Sequence, residues 1–317
     1  MRPQGTGRVF LRGGVFALIS LVAAALFASE KGPGRVVYED NHRFFESNDS
    51  AAMTEEGVLA WADRWSRQKA TRVLLCPNGM RANFDNPEFD PIWAEVDHRE
   101  PQERWPQNAK KLHDAGIDPY RLWIKRARAE KISPWISMTM NDLSGVEEWT
   151  DFRNSTFWTL HPHCWNVGSC ERYRMKRPAD RALDYGSTPV QKHALVFAAI
   201  LLDRYDCDGL VIDWSIGGQH LEYGDEQQKA DRMTALMAEI RKLTEASAVR
   251  RNHPVRLGVR VAASPDASNA AGVFAVEWGL NGLVDLIVPA SADGKTKPDL
   301  AAWQTALESA PVEVAGE

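Results

Sequence analysis

The 317-residue sequence holds only four cysteines, Cys76, Cys164, Cys170 and Cys207. The one histidine-rich stretch near them, His161-Pro162-His163-Cys164 with Cys170, has none of the spacings of a zinc site, so it reads as loop histidines beside a local disulfide. No glycine-rich phosphate loop, dinucleotide fingerprint or serine-nucleophile elbow is present, and no cofactor is implied. Neither sign of charge dominates. Lys and Arg number 38 against 43 Asp and Glu, and the net charge of −5 gives no ground for a nucleic-acid partner. Beyond residue 28 no apolar run is long enough to span a bilayer. No internal repeat, low-complexity tract or clear linker breaks the remainder.

What is present is an ordinary globular composition, 44% hydrophobic and 26% charged, enriched in tryptophan, with twelve. That is many for this length; some must be core, and a surplus of indoles also fits a carbohydrate cleft. Arg2, Arg8 and Arg12 precede an apolar run from Val15 to Ala28 broken only by Ser20. This pattern predicts a secretory signal peptide over residues 1–29, with the mature chain beginning after about residue 25 to 29. The expected location is secreted or periplasmic. A membrane contact is expected only if the segment stays uncleaved as an anchor. Export permits disulfides. Cys164 and Cys170 are close enough in sequence to pair, whereas Cys76 ends one predicted strand and Cys207 precedes another, at opposite ends of a parallel sheet.

Strands alternate with helices along the rest of the chain. Thr54 is placed to cap a helix carrying Val58, Trp61, Ala62 and Trp65 on one face. Strand 71–76 follows and ends at Pro77-Asn78-Gly79. Pro119 opens a helix at Asp118, and strand 134–140 ends at Asn141-Asp142. A stretch of about 144–186 is far longer than a usual connection and reads as a functional loop or insertion. A helix from Ser187 delivers the strand ending at Asp213. A helix over 225–246, strand 257–262, a short helix near 274–280, strand 283–288 and a last helix over 298–307 complete the pattern. The alternation predicts a parallel α/β sheet of about five visible strands.

The most informative stretch is Tyr205-Asp206-Cys207-Asp208-Gly209-Leu210-Val211-Ile212-Asp213-Trp214. An apolar run breaks at a carboxylate, and an indole follows. In a β/α barrel such strand ends carry the chemistry. A carboxylate there can donate a proton or stabilise a cationic transition state, and an indole can stack on a pyranose. The plainer role for Asp213 is to cap the strand end.

Six blocks carry a resemblance: Gly116-Ile117-Asp118-Pro119, Ile136-Ser137-Met138-Thr139-Met140-Asn141-Asp142, Ala182-Leu183-Asp184-Tyr185, Arg204-Tyr205-Asp206-Cys207-Asp208-Gly209-Leu210, Gly258-Val259-Arg260-Val261 and Gly282-Leu283-Val284-Asp285-Leu286-Ile287-Val288-Pro289. In this order, over roughly residues 36 to 295, they resemble bacterial secreted glycosyl hydrolase-like proteins of the family-10-like barrel group. The resemblance implies a (β/α)8 TIM-type barrel over residues 36–317 and a polysaccharide or oligosaccharide as substrate. Two departures stand out. The group reads Glu-Leu-Asp-Trp-Met-Arg where this chain has Val211-Ile212-Asp213-Trp214-Ser215-Ile216, so a Glu and an Arg are missing. Members of the group also continue through further strands, so the barrel is expected to be incomplete on its C-terminal side.

These features predict a glycoside hydrolase-like site with paired carboxylates. Asp213 and Asp142 flank the scissile bond, or Glu222 reaches back from the loop after the strand. Asn78, Arg81 and Asn141 hold hydroxyls, and Trp214 stacks on a sugar. Arg260, if its strand face points inward, pairs with Asp213 and keeps it ionised; a purely structural ion pair is the alternative. Two other readings stay open: a catalytically weak or inactive relative that binds glycans, and a tethered structural protein.

Overall fold

The computed structural model describes residues 34–167, 175–216, 218–221, 224–291 and 295–317. The proposed signal peptide, Glu222 and Cys170 lie outside the described residues. From Pro33 onward the chain is one compact unit. Its centre is a seven-stranded parallel sheet: β1 (Val36–Glu39), β2 (Arg72–Leu75), β3 (Ser133–Thr139), β4 (Gly209–Asp213), β5 (Arg256–Val261), β6 (Leu286–Pro289) and β7 (Glu313–Val314). The strands neighbour one another in chain order. The sheet curls until its edges meet, with the Val36 N–H donating to the Gly316 carbonyl at 3.2 Å. This is a TIM-type β/α barrel with seven strands among the described residues, where eight were expected.

Helices cover the outer face. They are α1 (Arg43–Ser47), α2 (Glu55–Arg67), α3 (Arg104–Asp114), α4 (Pro119–Ala129), α5 (Thr156–Leu160), α6 (Thr188–Arg204), α7 (Glu226–Arg251), α8 (Pro265–Ala270), α9 (Ala275–Leu280) and α10 (Leu300–Ala306). Their starts follow local chemistry. The Thr54 hydroxyl accepts from Gly57 N–H at 3.1 Å, and Asp118 accepts from Tyr120 N–H and Arg121 N–H ahead of α4, with Pro119 in the first turn. Between β3 and α6 the described residues run irregularly, with α5 and an isolated bridge between Trp165 and Leu183.

Strand alternation divides the sheet's side chains into two sets. Outward residues such as Val73, Leu75, Ile136, Ile212, Leu257 and Val259 meet the helices in the main core. Inward residues form a smaller cluster of Val36, Leu74, Trp135, Val211, Leu286, Val288 and Ala315. Trp135 is the plug. Gly209 and Gly258 on the next two strands make room for it; a Cβ at Gly209 would lie 2.4 Å from the indole. Below it, the Arg72 guanidinium lies 5.0 Å from the indole ring and binds Glu313 of β7 through two hydrogen bonds of 3.1 and 2.9 Å.

One buried carboxylate faces outward. Glu39, at the end of β1, is fully enclosed between that strand and α2, where Arg64 and the Trp65 indole N–H bind one oxygen. Burial pushes its pKa up against the pull of Arg64. Cys76 and Cys207 are free, buried thiols, placed after the end of β2 and before the start of β4. Cys164 is also a free thiol and accepts from the Ser187 hydroxyl at 3.3 Å.

Candidate active site

All seven strands run the same way, so the segments after Glu39, Leu75, Thr139, Asp213, Val261 and Pro289 gather on one rim. The inward positions nearest that rim are polar. Asp213 is paired in register with Thr139 on one side and Arg260 on the other. Its Oδ1 accepts from Ser215 N–H at 2.9 Å and from Ser215 Oγ at 2.6 Å. Its Oδ2 accepts from the Arg260 guanidinium at 2.9 Å. Arg260 also donates to Ser215 Oγ at 2.6 Å and to Glu317 at 2.5 Å, and lies over the Tyr38 ring at 4.1 Å. Burial works against the Arg260 charge, but Asp213 and Glu317 more than offset it and hold its pKa above the ordinary value. Burial, with Cys76 and Asp213 nearby, pushes the Tyr38 phenol well up, and burial pushes the Cys76 thiol up to about 11. Both are therefore neutral at pH 7.

Above this network an open cleft of about 570 Å³ occupies the mouth. Arg260, Tyr38 and Thr139 form its floor, while Asp40, Asn41, His42 and Glu46 wall it on the β1 side and Asp142 and Ser144 on the β3 side. Asp142 is half-buried. Its Oδ1 is held by Ser144 N–H at 2.9 Å and Ser144 Oγ at 2.6 Å. Its Oδ2 occupies the space over Gly79: a Cβ there would lie 2.2 Å from Oδ2 and 3.0 Å from the Asn41 amide nitrogen. Asp40 turns its Oδ1 to the His42 and Arg43 N–H groups at 3.1 and 2.7 Å.

The structure brings Asp142 and Arg260 to one cleft and corrects most other expected roles. Asp213 is 0% exposed, sealed beneath Arg260, and cannot meet a substrate without disruption of the pair. Trp214 offers no stacking face, because it is packed edge-on between Tyr185 and His220 at 4.8 and 4.9 Å. Asn78 is buried and spends its side-chain amide on the Gly79 and Thr139 carbonyls and on Thr139 N–H. Arg81, also buried, ties the carbonyls of Asn154 and Ala94 together at 2.8 and 2.7 Å. Asn141 is bound to both backbone groups of Leu183 and to His220. In each case a backbone group of a rim loop needs a partner, and the polar side chain after the strand supplies it. Asp40, His42, Glu46, Trp105 and Tyr38 were missed. The signal for Tyr38 was the short run Val36-Val37-Tyr38, bounded by Gly34 and Asn41.

Among the described residues no group of three or more His, Cys, Asp or Glu is arranged to hold a metal ion, and no helix is long and apolar enough to cross a membrane.

The fold and cleft define a β/α barrel open at the C-terminal ends of its strands. No protein-family model and no curated protein matches the sequence. Solved structures that resemble it include glycoside hydrolases. A glycoside hydrolase family 18 N-acetylglucosaminidase from Paenibacillus barengoltzii is 10% identical, with a TM-score of 0.39 over 81% of this chain and 53% of its own. A chitinase from Chromobacterium violaceum is 12% identical, with a TM-score of 0.45 over 90% and 68%. The α-L-fucosidase isoenzyme 2 from Paenibacillus thiaminolyticus is 12% identical, with a TM-score of 0.45 over 90% and 46%. The chain thus spans about half the length of the first and the last of these.

Proposed function

We propose that the protein binds carbohydrate in the cleft at the barrel mouth, and that binding rather than hydrolysis is what this site is built for. The observation that carries the reading is the sealed Asp213–Arg260 pair under an open cleft. The carboxylate at the central strand end serves the floor of the site and is not offered to a ligand. Asn41 and Asp142 then present the donors and acceptors that sugar hydroxyls use, over a floor closed by Arg260 and the Tyr38 ring beneath it.

Hydrolysis is the second reading, and one observation favours it: Asp142 and Asp40 both open on the same cleft. A glycosidase needs two carboxyl groups about 5 Å apart for retention or about 6.5–9.5 Å apart for inversion. In that reading these two residues, and not Asp213, flank the bond. Export through residues 1–29 belongs to the same proposal, since an exported barrel meets polysaccharide outside the cell. The test is a panel of polysaccharides and oligosaccharides scored together for binding and for new reducing ends. Binding without release is expected, weakened by Asp142→Asn. Turnover that disappears in Asp142→Asn would favour the hydrolase; no binding to any glycan would end both readings.

A further inference from the structure

The mouth cleft does not end at the rim. A second groove, of about 700 Å³, runs outward between the segment from Val96 to Arg104 and the segment from Glu148 to Arg153. The two share Glu46, Trp105 and Arg153, so they adjoin at these residues, and a ligand that crosses them would occupy both clefts as one channel. A single compact ligand fills about 300–1,000 Å³, and either cleft alone would hold one.

The junction is pre-organised. The Trp105 indole N–H donates to Asn83 Oδ1 at 2.8 Å, and Phe152 meets the indole edge-on at 5.9 Å. Arg153 lies 5.5 Å from the Phe152 ring and is clamped by Asp151 at 2.7 and 2.5 Å. Trp149 is half-exposed and packs on Trp158 and Trp165 at 5.4 and 5.9 Å, anchoring the outer wall to the insertion. A wall fixed in advance spares the ligand an ordering cost.

The channel also has a sign. Three carboxylates line the mouth cleft and five more line only the outer groove, against four arginines in all. Three of those arginines, Arg260, Arg153 and Arg104, are already held by carboxylates. An acidic channel repels an acidic polymer.

We propose that the ligand is an extended glycan chain of several sugar units without acidic groups, running from the mouth past Trp105 into the groove beside Phe152. The inference rests on the reading of the mouth as a glycan site. The test measures Kd by calorimetry for cello-oligosaccharides and N-acetylglucosamine oligomers from two to six units, with oligogalacturonides as the acidic ladder. On at least one neutral ladder, Kd is expected to fall tenfold or more from dimer to hexamer. Oligogalacturonides are expected to bind at least tenfold more weakly than neutral hexamers. Phe152→Ala should flatten the length dependence. Phe152→Leu, which keeps an apolar wall but no ring, guards against a misfolded first variant, and both are checked by thermal melting. Equal Kd for dimer and hexamer, or preference for the acidic ladder, would overturn the extended channel and leave the mouth site standing. Absence of binding on every ladder and in the wider panel would overturn the mouth site itself.

Discussion

The two halves of the barrel interior are built from the same inward-facing strand positions and differ in kind. The lower half is closed by Trp135 and aliphatic side chains, with two glycines cut away to admit the indole. The upper half holds Tyr38, Cys76, Thr139, Asp213 and Arg260, in a network whose charges are paired. The lower half is stabilised by removal of apolar surface from water, the main driving force of folding. The upper half contributes little net stability, because desolvation of the ions offsets their attraction. Its polar groups therefore call for another explanation, and the cleft above them supplies it. In barrels of this type the C-terminal rim carries function and the opposite end carries stability.

The largest effects separate the halves by stability. Trp135→Ala should cost about 3–5 kcal/mol, since the cavity under Gly209 and Gly258 has no side chain to refill it. Arg260→Ala should cost a similar amount, about 3–5 kcal/mol, for a different reason: Asp213 is left buried and unpaired. Urea unfolding of a double variant tells the two mechanisms apart. Asp213→Ala with Arg260→Met should recover much of the Arg260→Ala loss, because no charge remains buried. No apolar partner substitution should rescue Trp135→Ala so simply. If the Asp213/Arg260 double variant is as unstable as the sum of the singles, the upper network is a packing core like the lower one and the comparison fails.

A smaller effect comes from pH. His220 is fully buried, and burial pushes its pKa down to about 4. Its Nε2 lies 3.0 Å from the Trp214 carbonyl and its Nδ1 lies 3.2 Å from the Asn141 amide nitrogen. The partners assign the tautomer: Nε2–H donates to the carbonyl, and Nδ1 accepts from the amide. A second proton would set two donors against each other. The unfolded histidine, near 6.5, takes a proton before the folded one does. Stability is therefore full above about pH 6.5 and falls as pH drops toward 4, with about 2 kcal/mol lost by pH 5. His193, also lowered to about 4 by burial and by His161, adds in the same direction. Flat urea midpoints from pH 7 to pH 5 would show that the loops over the upper half do not depend on neutral His220.

The sequence exposes these halves unevenly. Helices whose starts carry their own signals, such as Thr54 before α2 and Asp118-Pro119 before α4, were legible to the residue. The inner strands were legible as elements, because a continuous apolar run bounded by turn residues has few other fates, but their bounds were not: the strand expected over 283–288 is Leu286–Pro289. The edge members of the sheet were not. β1 has four residues and β7 two, and each is a strand only because its neighbour offers a ladder of backbone groups. The Asp213–Arg260 pair was legible from alternation alone, since both residues sit on inward positions of adjacent strands. Exposure was not. Whether Asp213 faces solvent or lies sealed depends on Arg260, Ser215 and Glu317 closing over it, and that closure spans residues far apart in the chain.

The smallest stability effects should accompany the largest effects on binding. Asp142 is half-buried and tied locally to Ser144, so Asp142→Asn should change stability by no more than about 0.5 kcal/mol. Gly79 tests the same carboxylate from below. Its backbone is not left-handed, so alanine fits the main chain, but the new Cβ would meet Asp142 Oδ2 and force that side chain to swing. Each single change should weaken glycan binding about tenfold, which is about 1.4 kcal/mol. If Gly79 acts only by placing Asp142, the double variant should bind no worse than the weaker single, with an interaction energy of about −1.4 kcal/mol. Additive losses would mean that Gly79 shapes the cleft independently of Asp142. Unchanged affinity in Asp142→Asn would remove the carboxylate from the site altogether and leave Arg260 and the β1 wall as its polar groups. The upper half would then be a floor without an acidic wall on the β3 side, able to bind a sugar but with Asp40 as the only carboxylate of the second reading still in place.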